Sequence, residues 1–133
     1  MKSGLKRRKG RKLASLKSLR NKLDKVFSLY IRNRDADEEG IGNCATCEIA
    51  DKLQCGHFIK RQHQAVRWDE RNAAGQCLRC NHFLGGAQDE FSDYIINRWG
   101  YPVFNELMEL KHTTVKYTRS DLEEMIAKYS KVA

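Results

Sequence analysis

The 133-residue sequence lacks any run of apolar residues approaching the roughly 20 that are needed to span a bilayer. It begins with a basic run that has no apolar stretch of the kind found in secretion signals. It also contains no repeat at the period of solenoid proteins and no low-complexity tract beyond the basic start. These absences exclude membrane-spanning, secreted and repeat proteins. We therefore expect a soluble, cytoplasmic protein of one domain whose modest core would benefit from a metal staple.

Five cysteines are present, and four of them form two C-x-x-C pairs, Cys44 with Cys47 and Cys77 with Cys80. In a reducing compartment this spacing favours metal–thiolate bonds over disulfides. Tetrahedral Zn²⁺ accepts four thiolates, and each pair supplies two from a tight turn. Unmetallated cysteines would leave several thiols in polar sequence, and no thioredoxin-like βαβ pattern surrounds either pair. The sequence therefore predicts a structural zinc held by all four cysteines.

The formal net charge of +8 is spread unevenly along the chain. Residues 1–34 contain 13 Lys or Arg and a single acid, Asp24, whereas residues 35–51 contain six acids and no base. A polyanion such as DNA is the expected partner, and phosphate contacts would make its binding weaken with salt. The alternative for the flexible basic tail, residues 1–12, is a solvated segment without a partner. Its candidate DNA-binding residues are Lys6, Arg7, Arg8, Lys9, Arg11 and Lys12.

An apolar stripe at helical spacing follows the tail and predicts a basic amphipathic helix over residues 13–34. The stripe consists of Leu16, Leu19, Leu23, Val26 and Tyr30. A stripe of this kind faces either the core of its own domain or a second copy of the chain in a homodimer.

Residues 88–133 predict further helices of the same domain. Gly100 is placed to end one of them, and Pro102 suits the first turn of the next. Ser120 and Glu123 have capping-box spacing ahead of the last one.

Between the cysteine pairs, polar residues follow in a distinctive order. The stretch "LQCGHFIKR" reads as a short strand that contains His57. Asn72 follows in "DERNAAGQC", and Asn81 comes directly after the last cysteine. The order C-x-x-C, His, Asn, C-x-x-C-Asn resembles the zinc-stapled branch of the HNH, or His-metal finger, nucleases. In these a β-hairpin and a helix (ββα) hold one catalytic divalent ion.

A narrower resemblance covers roughly residues 26–130. The stretch "CGHFIKRQHQAVRWDERNAAGQCLRCN", followed by a "DYIINRWG" helix, is similar to the phage NinG (Rap) recombination proteins, which act on branched DNA. The C-x-x-C-Asn layout is also similar to that of phage endonuclease VII resolvases. The resemblance implies an α+β fold, in which a zinc-stapled ββα-metal (HNH) finger over residues 35–87 is flanked by an N-terminal basic helix and C-terminal helices. It implies a metal-dependent endonuclease that acts on Holliday-junction-like intermediates in a phage-infected bacterium.

The resemblance assigns roles that phosphodiester cleavage also requires. His57 would be the general base, because an imidazole removes a proton from water near neutral pH. Mg²⁺ or Mn²⁺ would neutralise charge on the phosphate, and Asn81 would supply one oxygen ligand. Asn72 would orient the imidazole or brace the loop. His82 would serve in packing or in a phosphate contact.

One position departs from the family pattern. Many HNH sites place an Asp directly before the base, and this sequence has Gly56 there. Asp69, Glu70 or His82 would then fill the gap, or His57 would be a ligand with His63 as the base. Cys55 is too soft a ligand for Mg²⁺.

Basic residues in the finger are candidates for clamping phosphate. They are Lys60, Arg61, Arg67, Arg71 and Arg79. Trp68 lies among them and is expected in the core rather than as a stacking platform. The alternative function is a non-catalytic zinc module that binds nucleic acid, in which His57 and Asn81 are structural.

Overall fold

The computed structural model describes residues 13–131. The predicted tail and its six candidate DNA-binding residues, Lys6 to Lys12, lie outside the described residues, as do the last two positions of the predicted 88–133 segment. The helices are α1 (Leu16–Asp35), α2 (Gln64–Arg67), α3 (Gln88–Trp99), α4 (Tyr101–Leu110) and α5 (Arg119–Ser130). The strands are β1 (Ile41–Asn43), β2 (Ala50–Lys52), β3 (Gln54–His57) and β4 (Ala73–Gln76). The fold is therefore mixed α+β, as predicted. None of the described helices is long and apolar enough to cross a membrane.

α1 begins at a side-chain cap, since Ser15 accepts a hydrogen bond from the backbone N–H of Ser18 at 3.0 Å. Its buried face consists of Leu19, Leu23, Phe27 and Ile31. This face packs against α5, with Tyr129 of that helix edge-on to Phe27. Four residues of the stripe, Leu19, Leu23, Val26 and Tyr30, thus pack within the chain, whereas Leu16 is exposed. The homodimer stays a prediction.

The strands form two separate antiparallel hairpins, β1 with β2 and β3 with β4. In the second hairpin Gln54 lies opposite Gln76, and His57 lies opposite Ala73. Cys44 directly follows β1, and Cys77 directly follows β4. Each C-x-x-C pair is therefore anchored at the end of a strand.

The element that follows β4 differs from a simple ββα finger. A five-residue π-helical turn, Arg79–Phe83, takes the place of a regular helix, and α3 begins only at Gln88. Cys80 is the buried residue of this turn. Turns of this type occur often at functional sites.

Two apolar clusters fill the interior beside the cysteines. One joins α1 and α5 and includes Trp68, which is 4% exposed, so this residue lies in the core as expected. The other joins α3 and α4 to the finger through Phe58, Phe91 and Leu107. The finger is therefore held between two helical layers.

The predicted signals at helix ends are partly confirmed. Gly100 has φ +93° and separates α3 from α4, which carries a proline in its first turn. The predicted capping box of α5, Ser120 with Glu123, is wrong. Thr118 and Asp121 form the capping box instead. The hydroxyl of Tyr117 donates to the carbonyl of Gln64 at 3.1 Å, which anchors the extended segment just before the helix.

Candidate functional site

The four cysteines of the two C-x-x-C pairs converge on one point. Their sulfur atoms all lie within 4.8 Å of one another, and Cys47 Sγ lies 3.8 Å from Cys77 Sγ. Four thiolates placed about 2.3 Å from a tetrahedral zinc would have sulfurs about 3.8 Å apart. The cluster could therefore hold a metal such as zinc.

The electrostatics of these thiols also fit a cation. Burial raises the pKa of Cys44, but hydrogen bonds from Thr46 and from backbone amides outweigh burial and set the pKa to about 6. Burial raises the pKa of Cys80 to about 12. Four adjacent thiols cannot all ionise unaided, because each thiolate disfavours the next. A divalent cation would remove this conflict and hold all four as thiolates.

A cavity of about 580 Å³ lies between α1, β3 and the π-helical turn. It brings together His57 and Asn81, which are 24 positions apart in the sequence. The other lining residues are Asp24, Ser28, Cys55, Lys60, Arg61 and Gln62. Burial raises the pKa of Cys55 to about 12, so this thiol stays protonated and uncharged.

The imidazole of His57 is held in one tautomer. Its Nε2 lies 2.9 Å from the backbone carbonyl of Arg67, and because a carbonyl only accepts, Nε2 carries the hydrogen. The Nδ1 lone pair is therefore the free basic site. Burial lowers the pKa of His57, and the positive charges of Arg61 and Arg67 lower it further. The hydrogen bond to the Arg67 carbonyl and the negative charge of Asp24 raise the pKa but do not outweigh burial. The imidazole is thus neutral near pH 7, the form that a general base needs.

Asn81 is fixed from two sides. Its backbone N–H donates to the carbonyl of Cys77 at 2.9 Å, and its side-chain Nδ2 donates to Gln54 Oε1 at 2.9 Å. The first bond ties it to the cysteine cluster, and the second turns the amide so that Oδ1 is left for another partner. Amide oxygens of this kind are ligands for hard divalent ions.

Asn72 lies elsewhere, fully buried behind the hairpin. Its Nδ2 donates to the carbonyls of Ile59 and Val66 at 3.0 and 3.1 Å, and its Oδ1 accepts from the N–H of Ile59 at 2.9 Å. Of the two roles that the sequence suggested, the contacts correspond to bracing the loop, and the amide does not bond the imidazole. Asn72 therefore holds the loop between Ile59 and Val66 in place, and its part in catalysis stays a prediction.

The space beside Gly56 is occupied by Gln76. A Cβ at position 56 would lie 1.9 Å from Gln76 Oε1 and 3.1 Å from Asn81 Oδ1. Gln76 is fully buried, and its Nε2 donates to Thr46 Oγ1 at 3.1 Å and to the Gly86 carbonyl at 2.9 Å. An aspartate side chain at position 56, directly before His57, therefore has no room.

None of the substitutes that the sequence offered for this aspartate, Asp69, Glu70 and His82, lines the cavity. His63, the alternative general base, does not line it either. Asp69 forms an ion pair with Arg71, and Glu70 accepts a hydrogen bond from the hydroxyl of Tyr30. Both carboxylates thus form contacts within the chain away from the cavity, and neither is placed to complete a metal site there.

The predicted DNA-binding residues of the finger fall into two groups. Lys60, Arg61 and Arg79 are exposed. Arg67 is paired with Asp24, and Arg71 is paired with Asp69 and Glu106. Ion pairs within the chain thus engage Arg67 and Arg71, and Arg61 Nη1 also lies 3.4 Å from Asp24 Oδ2; contact of these arginines with DNA stays a prediction.

Sequence patterns did not predict three residues that lie in or beside the site: Asp24, Gln54 and Gln76. Asp24 accepts from Trp68 Nε1 at 2.9 Å as well as from Arg67. It is the only acid in residues 1–34, and a lone acid in a basic helix is a signal that could have found it. No sequence pattern marks the other two.

Comparison with known proteins identifies the family. A family model described as bacteriophage lambda NinG protein matches residues 2–133. The chain is similar to the NinG protein of Escherichia phage 933W, with 31% identity over 105 residues, 78% of this chain and 51% of that protein. It is similarly related to the NinG protein of Salmonella phage P22, with 29% identity over 105 residues, 78% of this chain and 50% of that protein. The chain thus spans about half the length of the curated relatives it matches. No solved structure matches it. The predicted resemblance to the phage NinG family is confirmed.

Proposed function

The chain belongs to the bacteriophage lambda NinG family, and on that basis we propose that it is a metal-dependent DNA endonuclease of the HNH type. The observation that carries the proposal is the cavity in which His57 and Asn81 meet. There His57 would supply the imidazole base and Asn81 an amide oxygen ligand, two of the roles that the HNH resemblance assigns.

In this proposal the cysteine cluster holds Zn²⁺ in a structural role. Cys80 is a ligand, and the next residue is Asn81, so the metal fixes the backbone from which the Asn81 amide projects. Structural zinc sites with four protein ligands are closed to substrate. The zinc therefore positions the active site without taking part in the reaction.

His57 acts as the general base. Its Nδ1 removes a proton from water as the water oxygen bonds to phosphorus, and the bond from phosphorus to the leaving oxygen breaks. The carbonyl of Arg67 stabilises the imidazolium that results, since it accepts the Nε2–H at 2.9 Å. Mg²⁺ or Mn²⁺, held by Asn81, would supply charge neutralisation at the phosphate and the leaving oxygen. One protein ligand is compatible with Mg²⁺, which keeps several waters and takes phosphate oxygens from substrates.

The substrate is DNA, and the resemblance to recombination proteins favours branched intermediates of the Holliday-junction type in a bacterial host cytoplasm. Lys60 and Arg61 line the cavity with exposed side chains that would contact phosphate, which for Arg61 means giving up its 3.4 Å ion pair with Asp24. The basic tail, residues 1–12, adds contacts that do not depend on base sequence. Its removal should weaken DNA binding and flatten the salt dependence while zinc content stays the same. An unaltered salt slope would count against this role.

One observation favours the alternative of a non-catalytic zinc module that binds DNA. The cavity contains a single carboxylate, Asp24, and that group is bonded to Arg67 and Trp68. A site with no free carboxylate holds a hard cation weakly until a phosphate adds its oxygens. The two functions therefore differ in whether DNA is cut, not in whether it is bound.

The test is cleavage of an end-labelled four-way junction, with linear duplex and single strand of the same sequence, in Mg²⁺ or Mn²⁺. Wild type, His57→Ala and the control His112→Ala are compared, because His112 is exposed and outside the cavity. We expect wild type and the control to cut the junction and folded, zinc-containing His57→Ala to fail. If all three proteins bind DNA and none cuts, the module is non-catalytic.

A further inference from the structure

The π-helical turn carries an exposed apolar and basic surface, which we call the knuckle tip. It consists of Leu78, Arg79, His82, Phe83 and Leu84. Phe83 is 70% exposed, Leu78 49% and Leu84 48%, although apolar side chains of this size are usually buried. Phe83 also belongs to no core cluster of the described residues. The tip is therefore outside the packing of the fold.

The knuckle tip is held by hydrogen bonds. The backbone N–H of Leu84 donates to the carbonyl of Arg79 at 2.9 Å, and that of Gly86 donates to Cys80 at 2.8 Å. The ring of His82 lies edge-on to Phe83, with centroids 5.0 Å apart. A surface held in this way loses little conformational freedom on binding.

The charge around the tip points to a polyanion. Residues 71–88 contain no Asp or Glu, and Arg79 is exposed within the tip. Lys60 lies alongside, with its Nζ 3.1 Å from the carbonyl of Gly85. The apolar face of a protein partner would leave these positive charges without a counter-charge. A nucleic acid offers both phosphates for the charges and flat apolar base faces for the ring.

The tip is also continuous with the cavity. Lys60 lines the cavity, and its Nζ donates a hydrogen bond to the carbonyl of Gly85, the residue that follows the tip. Asn81, which also lines the cavity, belongs to the same turn as Phe83. A phosphate held in the cavity would therefore bring neighbouring nucleotides towards Phe83. In regular duplex those bases are stacked on each other, whereas at a branch point a base face is available.

We propose that Phe83, flanked by Leu78 and Leu84, stacks on a base face exposed at a branch point of the DNA held in the cavity. The ring thereby selects branched over linear DNA, with Arg79 and Lys60 contacting the adjacent phosphates. The proposal rests on the proposed function in taking DNA as the substrate. It does not depend on cleavage.

The test measures binding of fluorescent four-way junction and linear duplex by the full, zinc-loaded chain carrying His57→Ala, so that no cleavage interferes. In this background Phe83→Ala should weaken junction binding roughly five- to hundredfold, the range of one base–aromatic stack, and change duplex binding less than twofold. Phe83→Trp should retain the preference. Tyr101→Ala, which removes another exposed aromatic ring on α4, is the matched control and should change neither. A 2-aminopurine at the branch point should be quenched by the parent protein and not by Phe83→Ala.

Several results would overturn the proposal. They are unchanged junction binding by Phe83→Ala, an equal loss on junction and duplex, and an absence of DNA binding by the parent protein. A shift from dimer to monomer in sedimentation, with the junction preference unaltered, would assign the tip to contact between copies. This outcome is independent of the nuclease test. If wild type cuts no substrate and Phe83→Ala still loses the preference for junction DNA, the role of Phe83 is supported and the nuclease proposal is refuted.

Discussion

Gly56 is the position at which the structure makes its sharpest prediction. In Gly56→Ala the new methyl would lie 1.9 Å from Gln76 Oε1 and 2.7 Å from its Cδ, far inside the roughly 3.5–4.0 Å of an ordinary contact. Gln76 must then move and give up its hydrogen bonds to Thr46 and Gly86. Overpacking costs about 1–3 kcal/mol, and each lost hydrogen bond adds about 1 kcal/mol. We expect a loss of about 3–5 kcal/mol in the free energy of unfolding, which for a chain of this size lowers Tm by roughly 10–20 °C.

Guanidinium unfolding of the zinc-loaded protein measures this loss as a lower midpoint at an unchanged slope. The control is a double-mutant cycle with Gln76→Ala, which removes the obstructing amide. In that background Gly56→Ala should cost at least 1 kcal/mol less than in wild type, since residues in direct contact couple by about 0.5–3 kcal/mol. Additive costs, or a wild-type midpoint for Gly56→Ala alone, would refute the reasoning. Gly56→Asp should destabilise further and should not raise cleavage, because its carboxylate would be forced against Gln76.

Three other perturbations have defined outcomes. Cys80→Ser should reduce the zinc measured by mass spectrometry below one ion per chain, whereas Cys55→Ser should keep it; equal zinc in both would contradict a four-cysteine site. Asp24→Asn should lower the free energy of unfolding by about 1.5–3 kcal/mol, as expected for hydrogen bonds to a charged group, and should slow cleavage through the shifted carbonyl of Arg67; wild-type rates in a folded variant would exclude that link. Because the fold lowers the pKa of His57, kcat/KM should hold as pH falls to the ordinary value near 6.5 and be lost below it; a loss beginning above pH 7 would exclude the neutral imidazole as the base.

Local patterns were sufficient for the parts of the molecule that depend on spacing alone. Two C-x-x-C pairs predicted one cluster, because four thiols at that spacing have few other stable arrangements. The stripe at helical period predicted α1, and Gly100 marked the end of α3 because its φ of +93° suits glycine. In each case neighbours within a few positions carry the information.

The parts that sequence reasoning missed depend on residues that are distant in the chain. Arg67 meets Asp24 across 43 positions, so nothing local distinguishes it from the exposed Arg61. Asn72 has an amide that could serve an imidazole or a loop, and only the path of residues 59–66 decides between them. Gln76 excludes an aspartate at Gly56 because of the amide's direction inside the fold, which the hairpin register alone does not give.

The packing of α1 on α5 also affects when the wall of the cavity gains its full support during synthesis. Asp24 and Ser28 form one wall of the cavity, and the apolar face of their helix packs against Trp68 and Ala73 as well as against α5, which the ribosome delivers long after the finger. A nascent chain that has released the finger but not α5 therefore has a helix whose apolar face is only partly covered. Long-range closure of this kind is slow compared with local folding. The core that supports this wall of the cavity is thus completed only after α5, which ends at Ser130, has left the ribosome.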